Sequence, residues 1–146
     1  MRVLIDTNIL TRSIQPSHSM HTPAVNAVSE LKIRGNDLCV FPQNLVEFWA
    51  VATRPESANG LGMSTSEAEI ALSRIKSLFR LLQDNALIHR EWERVVVQYS
   101  VSGKNTHDAR LVAAMKTHGL NQLLTFDEDD FKRYTDITVL SPRSIK

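Results

Sequence analysis

Four carboxylates stand in contexts that are otherwise apolar or helix-capping. Asp6 follows Val3-Leu4-Ile5, Glu47 lies within Asn44-Leu45-Val46-Glu47-Phe48-Trp49, Asp108 within Thr106-His107-Asp108-Ala109, and Asp127 after Leu123-Leu124-Thr125-Phe126. Singly, each has an ordinary explanation. Asp6, Thr7 or Asn8 caps the next helix. Asp108 complements a helix dipole, worth about 0.3–1 kcal/mol. Glu47 is the wet side of an amphipathic helix, and Asp127 opens a solvated acidic loop in which Asp130 caps a turn. Brought together, four carboxylates repel and raise one another's pKa values. Hard divalent cations resolve that conflict, because Mg²⁺ and Mn²⁺ prefer oxygen ligands. Such a site suits phosphoryl chemistry, in which metals activate a water and stabilise charge on the leaving oxygen. No histidine or cysteine spacing points to zinc.

The elements that must position these side chains follow from the hydrophobic pattern. Val3-Leu4-Ile5 is an uninterrupted, mostly β-branched run, as expected for a strand buried on both faces of a parallel sheet. Leu38-Cys39-Val40-Phe41 and Leu123-Leu124-Thr125 read the same way, Thr138-Val139-Leu140 reads as a closing edge strand, and Phe79 to Leu82 as a short strand. Between them the spacing predicts a helical turn from Ile9 to Ile14, a loop from Gln15 to Met20, and a helix opened by Thr22 with Pro23 at its first position and stopped by Gly35. Further helices are predicted from Pro42 to Thr53, from the capping box Ser64-Thr65-Ser66-Glu67 to Ser77, from Leu87 to Val101, and from Thr106 to His118. The apolar stripe of the second of these is Ala68, Ala71, Leu72, Ile75 and Leu78. Strands alternating with helices mean a parallel sheet with right-handed crossovers, covered on both faces. Asp6, Glu47 and Asp127 all follow strands and so belong to one sheet edge; Asp108 reaches that edge if the loop Ser102 to Asn105 returns there.

Composition bounds the alternatives. The 146 residues are one domain's worth, with 42% apolar and 23% charged residues and a net charge of +1. Bulk charge therefore gives no argument for a polyanion partner, which must be held by a local patch or by metal ions. Cys39 is alone and sits in an apolar run, so it reads as a buried reduced thiol. No apolar stretch reaches the length of a membrane span, and the first residues lack signal-peptide character. A cytoplasmic location without membrane contact is expected.

The four motifs, in this order and in these contexts, resemble those of the PIN domains, specifically the VapC-like ribonuclease toxins of prokaryotic toxin–antitoxin pairs. The resemblance rests on Asp6-Thr7-Asn8-Ile9-Leu10, Asn44-x-x-Glu47, Thr106-His107-Asp108-Ala109 and Leu124-Thr125-x-Asp127, and covers essentially the whole chain. It implies a three-layer α/β/α sandwich around a mainly parallel sheet of four to five strands, with Asp6 near its centre. It implies Mg²⁺- or Mn²⁺-dependent RNA cleavage, with Asp6, Glu47, Asp108 and Asp127 as metal ligands. Thr7 and Asn8 then brace the first ligand, and Thr125 and Asn44 support the site. Asp130 competes with Asp127 for the fourth place; Asp127 is preferred because it is closer to the strand end. A metal-activated water attacks the phosphorus in line and the ribose 3′ oxygen leaves, giving a 5′-phosphate. Arg12, Arg54 and Lys104 are candidates for backbone contacts to the RNA, each also readable as ordinary surface charge. The family context further implies a homodimer and a small antitoxin partner.

Two other α/β enzyme classes fit poorly. Haloacid-dehalogenase-like phosphatases need a second aspartate two residues after the first, where this chain has Asn8. Response-regulator receivers need an acidic pair before the first helix and a lysine after a late strand, and here Thr125 is followed by Phe126-Asp127. The remaining rival is a non-catalytic RNA-binding or regulatory domain on the same fold.

Overall fold

A computed structural model describes residues 1–145. Its sheet has five strands: β1 (Arg2–Ile5), β2 (Asp37–Val40), β3 (Arg80–Leu81), β4 (Gln122–Leu124) and β5 (Thr138–Leu140), in the spatial order β3-β2-β1-β4-β5. All four pairings are parallel, with Leu4 opposite Cys39 on one side and Leu123 on the other. β1 is central, as expected. The chain builds outward from β1 through β2 and β3, then returns to the other side of β1 for β4 and β5. The strand order therefore reverses between β1 and β4, the place where open α/β sheets form ligand crevices outside the strands' carboxyl ends.

The two faces of the sheet bury different side chains, because successive residues of a strand point to opposite sides. Leu4, Cys39 and Leu123 pack with helices on one face, against residues such as Ile88, Val112, Phe131 and Tyr134. Val3, Ile5, Leu38, Val40 and Leu124 pack on the other, against Ile9, Ala27, Phe48 and Ile75. The result is the expected three-layer sandwich. Burial pushes the Cys39 thiol up to about 11, so it sits inert in the core.

The α-helices are α1 (Thr7–Arg12), α2 (His21–Ile33), α3 (Pro42–Thr53), α4 (Thr65–Leu78), α5 (Ile88–Gln98), α6 (Asn105–Thr117) and α7 (Glu128–Phe131). The Ser64 capping box forms as read, with the Ser64 hydroxyl accepting from the Glu67 amide and Glu67 accepting from the Ser64 amide. Three helices differ from the sequence reading by two residues or more at a boundary. α1 begins at Thr7, so Asp6 is its N-cap and Thr7 and Asn8 lie inside the helix rather than capping it. α2 begins at His21, which places Pro23 third; its missing N–H still falls in the first turn, where no intrahelical acceptor waits for one. α5 ends at Gln98 rather than near Val101, because Ser100 adopts a left-handed conformation (φ 51) and the Val101 amide closes back onto Val96. No helix among the described residues is long and apolar enough to cross a membrane.

Candidate active site

Asp6 stands at the reversal of strand order, only 7% exposed. Its extended backbone ends β1 and starts α1, so the carboxylate is fixed by its immediate surroundings: Oδ1 accepts from the Thr7 amide at 2.8 Å, and Oδ2 from the Thr125 hydroxyl at 2.7 Å. Thr125 lies just past β4, and the Asp6 amide donates to the Leu124 carbonyl at 3.0 Å, so two adjacent strand ends are stitched at this point. The single Thr125 oxygen also accepts from Asn8 Nδ2 (3.1 Å) and from the Asp127 amide (3.0 Å). One donor and two acceptor positions of that hydroxyl are thus all used.

Asn8, on the first turn of α1, reaches across to β4. Its Nδ2 donates to Asp127 Oδ2 at 3.1 Å and its Oδ1 accepts from the Phe126 amide at 3.3 Å. Thr7 reaches the other way. Its hydroxyl donates to Glu47 Oε2 at 2.8 Å and accepts from Asn44 Nδ2 at 3.3 Å, while Asn44 Oδ1 accepts from the Phe41 amide. Thr7 and Asn8 thus brace Glu47 and Asp127, whereas Asp6 itself is braced by Thr125 and the Thr7 backbone.

Asp6, Glu47, Asp108 and Asp127 line one cavity of about 410 Å³ with Thr7, Asn8, Arg12, Arg54 and Asn59. The loop before α6 therefore does return to the carboxyl edge. Asp130 and Lys104 lie outside the cavity wall but act on Asp108, whose pKa rises to about 6 through burial and the charges of Asp130, Glu47 and Asp127, opposed by Lys104. Asp6 is pushed up to about 7, chiefly by burial, with smaller repulsions from Asp108 and Glu47 and with the Thr125 and Thr7 hydrogen bonds opposing. Asp127 lines the cavity and holds the Asn8 hydrogen bond; Asp130 is the neighbour that bears most on Asp108.

These oxygens suit a hard divalent cation. Asp6 is buried, Glu47 and Asp108 half-buried and Asp127 exposed; their mutual repulsion is relieved by a charge of +2, and Mg²⁺ keeps several waters and takes only one or two carboxylates. Among the described residues no three acidic, histidine or cysteine side chains form a ready-made cage. Glu47 has one oxygen on Thr7 and the other on Gln43, and Asp127 has one on Asn8.

Several residues of the site were not legible beforehand. Gln43 donates through Nε2 both to Glu47 Oε1 (3.0 Å) and to the His107 carbonyl (2.8 Å), and accepts from Arg110 Nη1 (3.0 Å), joining α3 to the start of α6. Its position four residues before Glu47 on one helix was the available signal. The segment after α3 matters too. Amides of Leu61, Gly62 and Met63 donate to the Val51, Arg54 and Ala52 carbonyls, and a Cβ on Gly60 would meet the Arg54 carbonyl oxygen at 2.0 Å. This close return holds Arg54 and Asn59 at the cavity. Arg12 is anchored by Nη1 on Gln15 at 2.7 Å, while its Nε is buried without a hydrogen-bond partner.

A parallel α/β sandwich with an acidic cavity at the reversal of its strand order defines a class that the comparisons narrow. The family model for the PIN domain matches residues 3–137, and the chain belongs to that family. Comparison with curated protein sequences finds no match. Among solved structures the fold is shared with VapBC2 from Rickettsia felis bound to a promoter DNA fragment, at 14% identity, TM-score 0.72, and coverage of 97% of this chain and 98% of that one. It is shared with VapBC-1 from nontypeable Haemophilus influenzae, at 14% identity and TM-score 0.72 over 99% and 100% of the two chains. A third is VapC20 from Mycobacterium tuberculosis, described as a Sarcin-Ricin loop cleaving toxin, at 18% identity and TM-score 0.62 over 88% and 92%.

Proposed function

We propose that this PIN-domain protein is an endoribonuclease dependent on Mg²⁺ or Mn²⁺, acting in the cytoplasm as the toxin of a toxin–antitoxin pair. The observation that carries the reading is Asp6: a buried carboxylate, held by Thr125 and the Thr7 amide, in one cavity with three further carboxylates and two arginines. Asp6, Glu47, Asp108 and Asp127 would hold the metal, directly or through water. A metal held there would lower the pKa of a water and offset charge on the leaving oxygen. The chain's own groups do the rest. Asp6 is presented in one orientation, which removes the need to reorganise it during reaction. Arg12, with an unpartnered buried Nε, and Arg54, held by the Gly60 return, present cations to the substrate phosphates; Lys104 adds charge beside Asp108.

The partner part of the reading draws on the fold neighbours, several of which are VapBC toxin–antitoxin complexes. A small antitoxin and a second copy of the chain are accordingly proposed partners. Incubating the purified protein with total RNA and mapping the cut ends tests the activity. Discrete cuts carrying 5′-phosphates, lost in EDTA and in D6A, are expected. RNA binding without cleavage by the wild-type protein would instead place it with the non-catalytic domains.

A further inference from the structure

A second cavity, of about 460 Å³, lies beside the acidic one and is lined by His89 and Trp92 of α5 and Thr106, His107 and Arg110 of α6. Its wall contains two flat rings, His89 and Trp92, with centroids 5.8 Å apart and planes 33° from parallel. The indole N–H of Trp92 is donated to the Thr106 carbonyl at 2.9 Å, which fixes the ring and leaves its apolar surface as what it offers a ligand. His107 is exposed, and Arg110 is pinned between Gln43 and Asp84.

The two cavities share their supports. His107 and Arg110 flank Asp108 in sequence, and Gln43 touches Glu47 in one cavity and the His107 carbonyl and Arg110 of the other. A chain whose phosphate lies at Asp108 has the start of α6 within reach of its neighbouring residue. Rings that can stack, beside the Arg110 guanidinium, match an unpaired nucleobase and its phosphate: this pairing of aromatic faces with a cation is how single strands are held without sequence readout.

We propose that this cavity is a nucleobase subsite, in which a base next to the scissile phosphate of single-stranded RNA stacks on Trp92 and His89 while His107 and Arg110 face its backbone. The proposal rests on the ribonuclease reading above and adds to it a demand for an unpaired base. It makes Trp92 a binding residue and Gln43 the link that keeps the subsite and Glu47 in fixed relation.

The test compares two fluorescently labelled ligands by anisotropy in the presence of Ca²⁺: a cytidine decamer and an abasic ribose-phosphate chain of equal length. The wild-type protein is expected to bind the cytidine strand roughly 5- to 150-fold more tightly, the range of one stacked base. W92L should bind both strands alike, and W92F should keep most of the preference. In a W49F background the emission left is that of Trp92, and the cytidine strand but not the abasic one should quench it; this readout needs no change at Trp92 itself. Equal binding of both strands by the wild-type protein, or Trp92 emission indifferent to the cytidine strand, overturns the subsite and leaves the ribonuclease reading standing. Failure of the protein to bind either strand overturns the RNA reading itself, and the subsite with it.

Discussion

The burial of Asp6 makes a quantitative demand on stability. Its pKa lies near 7 in the folded protein against an ordinary 3.8. Between those values the unfolded chain has released the proton while the folded chain keeps it. The folded state then binds more protons, and stability falls as pH rises toward and through 7 in metal-free protein. Integrated from pH 5 to 8, this is a loss of about 2–3 kcal/mol assignable to one carboxyl. D6N isolates it, because the other titrating groups are common to both proteins. The amide costs something of its own. The oxygen of the D6N carboxamide can still accept from the Thr7 amide, but its NH₂ group faces a Thr125 oxygen that already accepts from Asn8 and Asp127. One buried donor is left without an acceptor, worth about 1–3 kcal/mol.

The two effects oppose each other and only one depends on pH. In EDTA, D6N should gain about 2–3 kcal/mol on wild type between pH 5 and pH 8. For a chain of this length 1 kcal/mol moves Tm by roughly 3 °C, so the difference in Tm should swing by roughly 6–9 °C across the range. Thermal unfolding followed by far-ultraviolet circular dichroism measures it. Mg²⁺ at a hundred times its dissociation constant should restore about 2.7 kcal/mol to wild type at pH 8 and much less to D6N. Parallel Tm curves for the two proteins in EDTA would refute the reasoning, since they would mean that Asp6 is ionised in the fold at no cost.

Other expectations follow from single contacts. T125V removes the donor to Asp6 and the acceptor for Asn8 and the Asp127 amide, and should cost about 1–3 kcal/mol by denaturant titration and at least tenfold in RNA cleavage, with T125S retaining most of both. R12A should weaken RNA binding and lower the slope of log K against log salt by about 1, with circular dichroism unchanged. G60A must move the Arg54 backbone or break the return after α3, so a drop of at least about 2 kcal/mol in unfolding free energy is expected, together with weaker RNA binding. S64A should cost about 0.5–2 kcal/mol through loss of the α4 cap and leave cleavage per folded molecule unaltered, which calibrates the others.

The elements were legible wherever one local rule governed them. The period of apolar residues and proline at the start placed α3 to the residue, and Ser64 with Glu67 placed the start of α4. Short, mostly apolar runs marked the strands, three as buried and Thr138-Val139-Leu140 as an edge. Boundaries failed where a backbone conformation decided: nothing in Tyr99-Ser100-Val101 announces that Ser100 turns left-handed and ends α5, and a proline in a first turn can stand at more than one position. In the same way Leu78, counted in the apolar stripe of α4, is half exposed because the helix runs past the edge of the core it packs on.

The candidate site was legible in its charges and not in its supports. Each carboxylate has an ordinary explanation taken singly, but three that follow strands and a fourth that opens a helix pointed together to one cavity. The side chains that aim those carboxylates are common polar types in ordinary places. Gln43 looks like any exposed helix residue until Arg110, sixty-seven positions away in sequence, supplies the hydrogen bond that turns it toward Glu47 and His107. Thr125 looks like the end of a strand until three partners converge on its one oxygen. The consequence bears on function. Asp6 is anchored through covalently neighbouring and strand-end groups, so its place is set by folding, whereas Glu47 is held by the side chains of Thr7 on α1 and Gln43 on its own helix. Loss of the Gln43 contact would therefore free a Glu47 oxygen without disturbing Asp6. Gln43 thus ties Glu47 to the start of the helix that carries Asp108, His107 and Arg110.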